Sequence, residues 1–150
     1  RLQKTDYKLI LEPGRSVVAS SGILATKIEY IKQAGDKKFA IIDAGMNDLI
    51  RPSLYEAWHA VKEVEAKDIE SETYDLAGPV CETGDVLAKD RELKIRPDDY
   101  VVFMDVGAYG SVMSSNYNSR LKPLELLITG DKIKVIKKRE SFEDLISLES

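Results

Sequence analysis

The stretch GPVCETGD, residues 78–85, contains the only cysteine of the 150-residue chain. This cysteine, Cys81, is followed at once by Glu82 and then by the turn-prone sequence Thr83-Gly84-Asp85. A thiol is protonated near neutral pH yet is able to give up its proton, so a functional role for Cys81 is one interpretation. The alternative is a small buried apolar residue, which is the usual state of a free cysteine.

Three further stretches contain residue types that bind or catalyse. They are LEPGRSVV (11–18), DAGMNDLIRPSLYEAWH (43–59) and DVGAYGSVMSSNYNSRLKPLE (105–125). Each one alone has an ordinary structural explanation, since Pro-Gly forms turns anywhere and an arginine is usually a solvated surface charge. Asp43, Asn47 and Asp48 have the simple interpretation of turn formers.

Composition restricts the class of protein. One cysteine excludes an internal disulfide and favours a reducing compartment, so we expect a cytoplasmic protein. With 22 basic and 26 acidic residues the net charge is −4, which argues against nucleic acid as a main partner. No signal peptide is predicted from these 150 residues, and no apolar run in them is long enough for a membrane span. No metal site is predicted.

The elements that must position these stretches are mostly strands. Period-two or continuous apolar patterns predict strands over 7–11, 23–33, 38–45, 57–66, 72–80 and 98–110, and a hairpin over 125–138 with its turn at Gly130-Asp131. Short helices are predicted at 51–58, with Pro52 near the start, and at 141–150, capped by Ser141. Seven or eight strands with short turns favour a mainly β fold, an antiparallel barrel or sandwich.

The predicted strand at 7–11 does not fit this scheme. It reads as buried on both faces, which is typical of a parallel sheet, and no parallel partner follows it. We therefore expect the chain to be part of something larger.

Taken together, the motifs EPGR, DAGMNDLIRPSLY, CETGD and SNYNSR followed by PLE resemble the C-terminal third of fold-type III pyridoxal-phosphate decarboxylases, most closely their diaminopimelate decarboxylase branch. The resemblance extends from Leu11 to about Leu127. It implies that residues 1–21 end an N-terminal (β/α)8 cofactor barrel, including its last strand, and that residues 22–150 form the C-terminal β-domain with short helices. It also implies a homodimer with shared active sites.

The resemblance implies a function for the full-length protein: conversion of meso-2,6-diaminopimelate to L-lysine and CO₂ with pyridoxal 5′-phosphate. The family's Schiff-base lysine lies upstream, and no lysine here has its Lys-Ala-Asn-like setting, so the isolated fragment is expected to be inactive. One alternative is a related decarboxylase for carboxynorspermidine, ornithine or arginine. The other is a non-catalytic regulatory homologue that pairs with a full-length enzyme.

Cofactor-binding residues follow from the resemblance. Glu12 would face the protonated ring nitrogen, because a carboxylate there favours the electron sink. Gly14 and Tyr109 would contact the phosphate, the glycine through its backbone N–H and the tyrosine through its hydroxyl. The alternatives are a salt bridge at a strand end for Glu12 and a buried ring with a satisfied hydroxyl for Tyr109.

Substrate-binding residues follow in the same way. Arg15 and Arg51 would hold the distal carboxylate with their guanidinium groups, and Tyr55, one helical turn after Arg51, would add a hydroxyl. Glu82 would pair with the distal ammonium, and Cys81 would donate a proton, both in the neighbouring subunit's site. Related decarboxylases of basic amino acids have aspartate at the position of Glu82, so the longer acid favours diaminopimelate. The residues Asn116, Asn118 and Arg120 are interpreted as a loop that orders the C-terminal side of the site.

Overall fold

The structure, a computed structural model, describes residues 8–149 of the chain. Within them the strands are β1 Leu24–Ala34, β2 Lys37–Ile42, β3 Val61–Glu63, β4 Glu72–Ala77, β5 Val86–Leu93, β6 Tyr100–Phe103, β7 Glu125–Thr129 and β8 Lys132–Lys137. The helices are α1 Arg51–Tyr55 and α2 Phe142–Ile146. Short 3₁₀ turns occur at Arg15–Val17, Ala19–Ser21, Ser111–Met113 and Tyr117–Ser119.

Six strands form one curved sheet in the order β3-β6-β1-β2-β4-β5. Its two edges approach each other, because the backbone N–H of Lys94, just after β5, donates to Oε1 of Glu63 in β3 at 2.8 Å. The sheet is therefore a nearly closed barrel, which confirms the predicted mainly β fold. One pair, β2 with β4, is parallel, which the expected all-antiparallel arrangement did not include. A parallel pair needs a long crossover, and here the crossover contains α1.

The interior of the barrel is apolar. The largest fully buried side chains from the apolar class are Ile28, Ile42, Leu49, Leu76, Leu87, Val101 and Phe103. Burying each of them stabilises the fold by about 1.5–3 kcal/mol relative to exposure. This buried core stabilises the barrel, so the barrel can hold the loops at its rim in place.

Strands β7 and β8 form a separate hairpin, as predicted. Gly130 in its turn has a φ of +57°, a conformation that favours glycine. The apolar side chains of this hairpin are exposed, namely Leu126, Leu127, Ile128, Ile133, Val135 and Ile136. Helix α2 is capped by Ser141, as predicted: the Ser141 Oγ accepts from the Asp144 N–H at 3.1 Å, while the Asp144 carboxylate accepts from the Ser141 N–H at 2.8 Å. The helix ends at Ile146, earlier than predicted.

One predicted strand is not formed, and one observed strand was not predicted. Residues 8–11 of the predicted strand 7–11 form no strand, and Leu9, Ile10 and Leu11 are exposed; residue 7 lies outside the described residues. No strand within residues 8–149 pairs with this segment, so its backbone has no ladder to join. Strand β5 was not predicted, because Lys89-Asp90 interrupts the apolar alternation; in the structure Asp90 adopts a φ of +52° within this strand. The domain division at residue 21 stays a prediction.

Other predicted strands are shorter than expected. The pattern over 57–66 corresponds to β3, Val61–Glu63, and the pattern over 98–110 corresponds to β6, Tyr100–Phe103. Among residues 8–149 no helix has the length and apolar character that crossing a membrane requires.

Candidate active site

Arg51 is a buried cation at the first position of α1. Only 9% of the residue is exposed, which excludes the alternative of a solvated surface charge. Its guanidinium carbon lies 5.6 Å from the centre of the Tyr55 ring and 5.9 Å from that of Tyr109. Its buried Nε has no hydrogen-bond partner, and the side chain makes no ion pair within residues 8–149. A guanidinium with free donors between two aromatic rings suits a carboxylate ligand.

Tyr109 is held in an unusual backbone conformation. Its φ is +60°, which costs a bulky residue on the order of 1–3 kcal/mol. The preceding residues tie the loop down, since Val106 N–H donates to Gly22 O and Gly107 N–H donates to Ala19 O, both at 2.9 Å. A Cβ on Gly22 would lie 2.5 Å from the Gly107 Cα, so the two loops approach closely enough to require glycine.

Gly14 lies next to Tyr109. A Cβ added at Gly14 would be 3.8 Å from the Tyr109 hydroxyl, and the Tyr109 side chain is 45% exposed, so it is not the buried ring of the alternative interpretation. A phenol hydroxyl beside a glycine backbone fits a phosphate group. The structure thus brings together four of the predicted residues, namely Gly14, Arg51, Tyr55 and Tyr109.

Glu12 and Arg15 are placed less specifically. Both are exposed, and neither side chain makes a hydrogen bond or an ion pair to another residue of the described 8–149 range. The suggested strand-end salt bridge of Glu12 is therefore not found there. Their roles toward a cofactor and a substrate carboxylate stay predictions.

The turn after β4 presents Cys81 and Glu82. Cys81 is exposed, so the alternative of a buried apolar residue is wrong. Glu82 accepts two hydrogen bonds, from the Thr83 N–H at 3.0 Å and from the Tyr117 hydroxyl at 3.2 Å. The pKa of the Tyr117 phenol is raised, chiefly by its hydrogen bond to the Glu82 carboxylate and then by the negative charge of that carboxylate. A cavity of about 270 Å³ opens here, lined by Met46, Asn47, Ile50, Glu82, Ser115 and Tyr117.

Asp85 fixes this turn to the segment that follows β2. Its carboxylate is 2% exposed and accepts from the N–H groups of Met46 and Val80, each at 2.6 Å. Burial raises the pKa of Asp85, although both hydrogen bonds oppose the rise. A Cβ on Gly78 would lie 2.5 Å from Oδ1 of Asp85, so the turn closes around the carboxylate. The sequence contains no local signal for this role.

Arg120 attaches the SNYNSR loop to the same segment. Its Nε donates to Oδ1 of Asn47 at 2.8 Å, and its Nη2 donates to the Asp43 carbonyl at 2.6 Å and lies 3.7 Å from Oδ2 of Asp48. Asn47 is 1% exposed, and burial raises the pKa of Asp48. Asn47 and Asp48 are therefore buried parts of a polar network, which their interpretation as simple turn formers missed.

Comparison with known proteins identifies the domain. A family profile described as "Pyridoxal-dependent decarboxylase, C-terminal sheet domain" matches residues 16–107. The diaminopimelate decarboxylase of Pseudomonas aeruginosa is 49% identical over 150 residues, covering 100% of this chain and 36% of that protein. That of Helicobacter pylori is 51% identical over 150 residues, covering 99% of this chain and 37% of that protein.

Solved structures agree with this. Diaminopimelate decarboxylase from M. jannaschii superposes with a TM-score of 0.89 at 43% identity, over 93% of this chain and 32% of that one. The Helicobacter pylori enzyme, solved in complex with L-lysine, gives a TM-score of 0.86 at 50% identity, over 99% of this chain and 36% of that one.

This chain spans little more than a third of the length of these relatives. The match to the Pseudomonas aeruginosa protein covers the whole of this chain, including the segments that contain Arg51, Tyr109 and Cys81. The chain therefore belongs to the pyridoxal-dependent decarboxylase family and carries the C-terminal sheet domain of that family.

Proposed function

We propose that this chain is the C-terminal portion of a diaminopimelate decarboxylase, which converts meso-2,6-diaminopimelate to L-lysine and CO₂. The observation that carries the proposal is the identity of about half of all positions, along the whole chain, to relatives of that name. Lysine decarboxylase from Selenomonas ruminantium shares only the fold, at 23% identity and a TM-score of 0.63. The alternative decarboxylases for ornithine, arginine or carboxynorspermidine are therefore less favoured.

Pyridoxal 5′-phosphate would contact this domain at Gly14 and Tyr109. When bound, the cofactor supplies the electron sink that decarboxylation needs. The Tyr109 hydroxyl beside the Gly14 backbone supports a contact with the phosphate group. The carboxylate of Glu12 is exposed and available to a ring nitrogen of the cofactor.

The substrate would be held by groups of opposite charge. Arg51 offers a buried Nε donor without a partner for the distal carboxylate, with the Tyr55 ring nearby and Arg15 as a second cation. Glu82 offers a fixed carboxylate for the distal ammonium. A ligand that carries both an ammonium and a carboxylate at its far end satisfies both groups, whereas ornithine satisfies only one.

Cys81 would give its proton to the carbon that loses CO₂, in the neighbouring subunit of a homodimer. The exposure of Cys81 and Glu82 is what a residue shared across subunits requires. An exposed free thiol also suits a reducing compartment, in keeping with the cytoplasmic location predicted from the sequence.

The test is the substrate range of the complete protein, meaning this chain with the residues encoded upstream. We expect CO₂ release from meso-diaminopimelate to exceed that from ornithine or arginine by about a hundredfold in kcat/KM, since ornithine and arginine lack the distal carboxylate and leave Arg51 unpaired. A higher kcat/KM for ornithine or arginine would contradict the proposal.

The upstream sequence tests the regulatory alternative. A barrel that contains a Lys-Ala-Asn-like motif supports the enzyme, and its absence supports a non-catalytic homologue. The 150-residue chain alone, supplied with pyridoxal phosphate, is expected to release no CO₂.

A further inference from the structure

The Glu82 carboxylate is exposed, yet it is held at both oxygens. Oε1 accepts from the backbone N–H of Thr83 at 3.0 Å, and Oε2 accepts from the Tyr117 hydroxyl at 3.2 Å. Within residues 8–149 no lysine or arginine pairs with Glu82. The carboxylate is therefore held by uncharged donors, and no cation of the described residues neutralises it.

Tyr117 is itself firmly anchored, although it lies on a loop. Its N–H donates to Oγ of Ser115 at 3.3 Å, and the Ser115 N–H donates to the Asn47 carbonyl at 2.9 Å. After Tyr117 the chain turns sharply through Asn118, at a φ of +58°, and Arg120 then bonds the buried Asn47 side chain. The phenol thus reaches Glu82 from a loop tied to the segment after β2.

We infer that Tyr117 is a positioning residue for Glu82, and that it holds this carboxylate toward the cavity of about 270 Å³ so that the carboxylate pairs with an ammonium group of the substrate. A neutral phenol suits this role, because a lysine or arginine at the same place would cancel the charge that the ammonium needs. The inference rests on the proposed function, since it takes the distal ammonium of diaminopimelate as the ligand of Glu82.

The kinetic test uses Tyr117→Phe in the complete enzyme, because this change keeps the ring and removes only the hydroxyl. We expect KM for meso-diaminopimelate to rise about tenfold with kcat changed less than about twofold, as for the loss of one hydrogen bond to a charged group. The matched control is Tyr30→Phe, an exposed tyrosine on β1, which should leave both constants unchanged.

Two further measurements separate positioning from a general structural role. The inhibition constant of 2-aminopimelate, which has both carboxylates but lacks the distal ammonium, should be unchanged in Tyr117→Phe. In a Glu82→Gln background, Tyr117→Phe should have no additional effect on KM. Wild-type KM in Tyr117→Phe, or equal weakening of diaminopimelate and 2-aminopimelate, would overturn the inference.

A titration tests the pair without any turnover. The tyrosinate absorbance of the wild type minus that of Tyr117→Phe gives the ionisation of Tyr117, which should occur at lower pH when Glu82→Gln removes the neighbouring charge. An ionisation that does not respond to Glu82→Gln overturns the inference whatever the substrate is. A response to Glu82→Gln in a protein that does not turn over diaminopimelate supports the pairing of Tyr117 with Glu82 and contradicts the proposed function instead.

Discussion

The carboxylate of Asp85 accepts a hydrogen bond from the backbone N–H of Met46, a residue 39 positions away, at 2.6 Å. The bond joins the turn that presents Cys81 and Glu82 to the segment that leads into Arg51. Because a second bond from Val80 reaches the same buried carboxylate, Asp85 is the point at which two of the rim loops meet.

Removing this carboxylate should destabilise the fold. Asp85→Ala leaves the N–H groups of Met46 and Val80 without their acceptor, at a cost of about 1–3 kcal/mol for each one that stays buried. Urea unfolding of the 150-residue chain, followed by circular dichroism, measures the loss. The control is Asp68→Ala, an exposed aspartate that makes no hydrogen bond within residues 8–149, where we expect a change within about 0.5 kcal/mol. Equal stability of the two variants would contradict the role of Asp85.

Asp48 should make stability depend on pH in a defined direction. Burial raises its pKa above the ordinary value of 3.8, so the folded state holds this proton more tightly than the unfolded state. The corresponding stability is fully present below that pH and is lost as the pH rises through the folded pKa. The free energy of unfolding of the wild type relative to Asp48→Asn should therefore decrease as the pH rises from about 3 to about 7. If the unfolding free energies of the wild type and Asp48→Asn changed with pH in parallel, Asp48 would not be the cause of the pH dependence.

Because of the backbone strain at position 109, a glycine variant should be more stable than an alanine variant there, which is the reverse of the usual order. Both Tyr109→Ala and Tyr109→Gly lose the ring, but only glycine accepts a φ of +60° without strain, so the glycine variant should be more stable by about 1 kcal/mol. At Tyr30 on β1 the alanine variant should be the more stable one. Chemical unfolding of the four variants gives both differences, and a more stable Tyr109→Ala would mean that the loop relaxes.

The buried guanidinium of Arg51 should not be replaceable by an ammonium. Arg51→Lys keeps the charge but loses the planar fork between Tyr55 and Tyr109, so kcat/KM of the complete enzyme for meso-diaminopimelate should fall about ten- to a hundredfold. Arg139→Lys, a change at an exposed arginine, serves as the control. An unchanged kcat/KM in Arg51→Lys would remove Arg51 from the substrate site.

Subunit mixing tests whether Cys81 serves the neighbouring chain. One complete enzyme lacks its cofactor lysine and the other carries Cys81→Ala, and each homodimer should be nearly inactive. In a heterodimer one site has both groups intact, so random re-association should restore roughly a quarter of the native activity, because the two-fold interface uses the same patch twice. If proven subunit exchange restores nothing, Cys81 acts within its own chain.

Local features of this fold could be predicted and distant ones could not. The β7–β8 hairpin and the start of α2 at Ser141 depend on residues a few positions apart, and both were predicted correctly. Asp85 and Tyr117 act through partners 39 and 35 positions away, and nothing in their own neighbourhood indicates those contacts. For segment 8–11 the local sequence pattern led to a wrong prediction. Its apolar run is typical of a buried strand, but the segment lies exposed here.

The candidate site shows the same division. Arg51, Tyr55, Gly14 and Tyr109 were proposed from motifs, and the structure brings them together. The burial of Arg51 was not foreseeable, because an arginine beside Pro52 in a sequence is equally compatible with solvent. The centre of the Tyr109 ring, 58 positions away in the sequence, lies 5.9 Å from the guanidinium carbon of Arg51.

The parallel pairing of β2 and β4 has a kinetic consequence. These two strands enclose the crossover that contains Arg51, and Phe39 cannot lie beside Asp75 until that whole loop has closed. Loop closure lowers the entropy of the chain before any contact compensates for it, which makes such pairing slow. We therefore expect the crossover segment that contains Arg51 to become ordered only once β2 and β4 have paired.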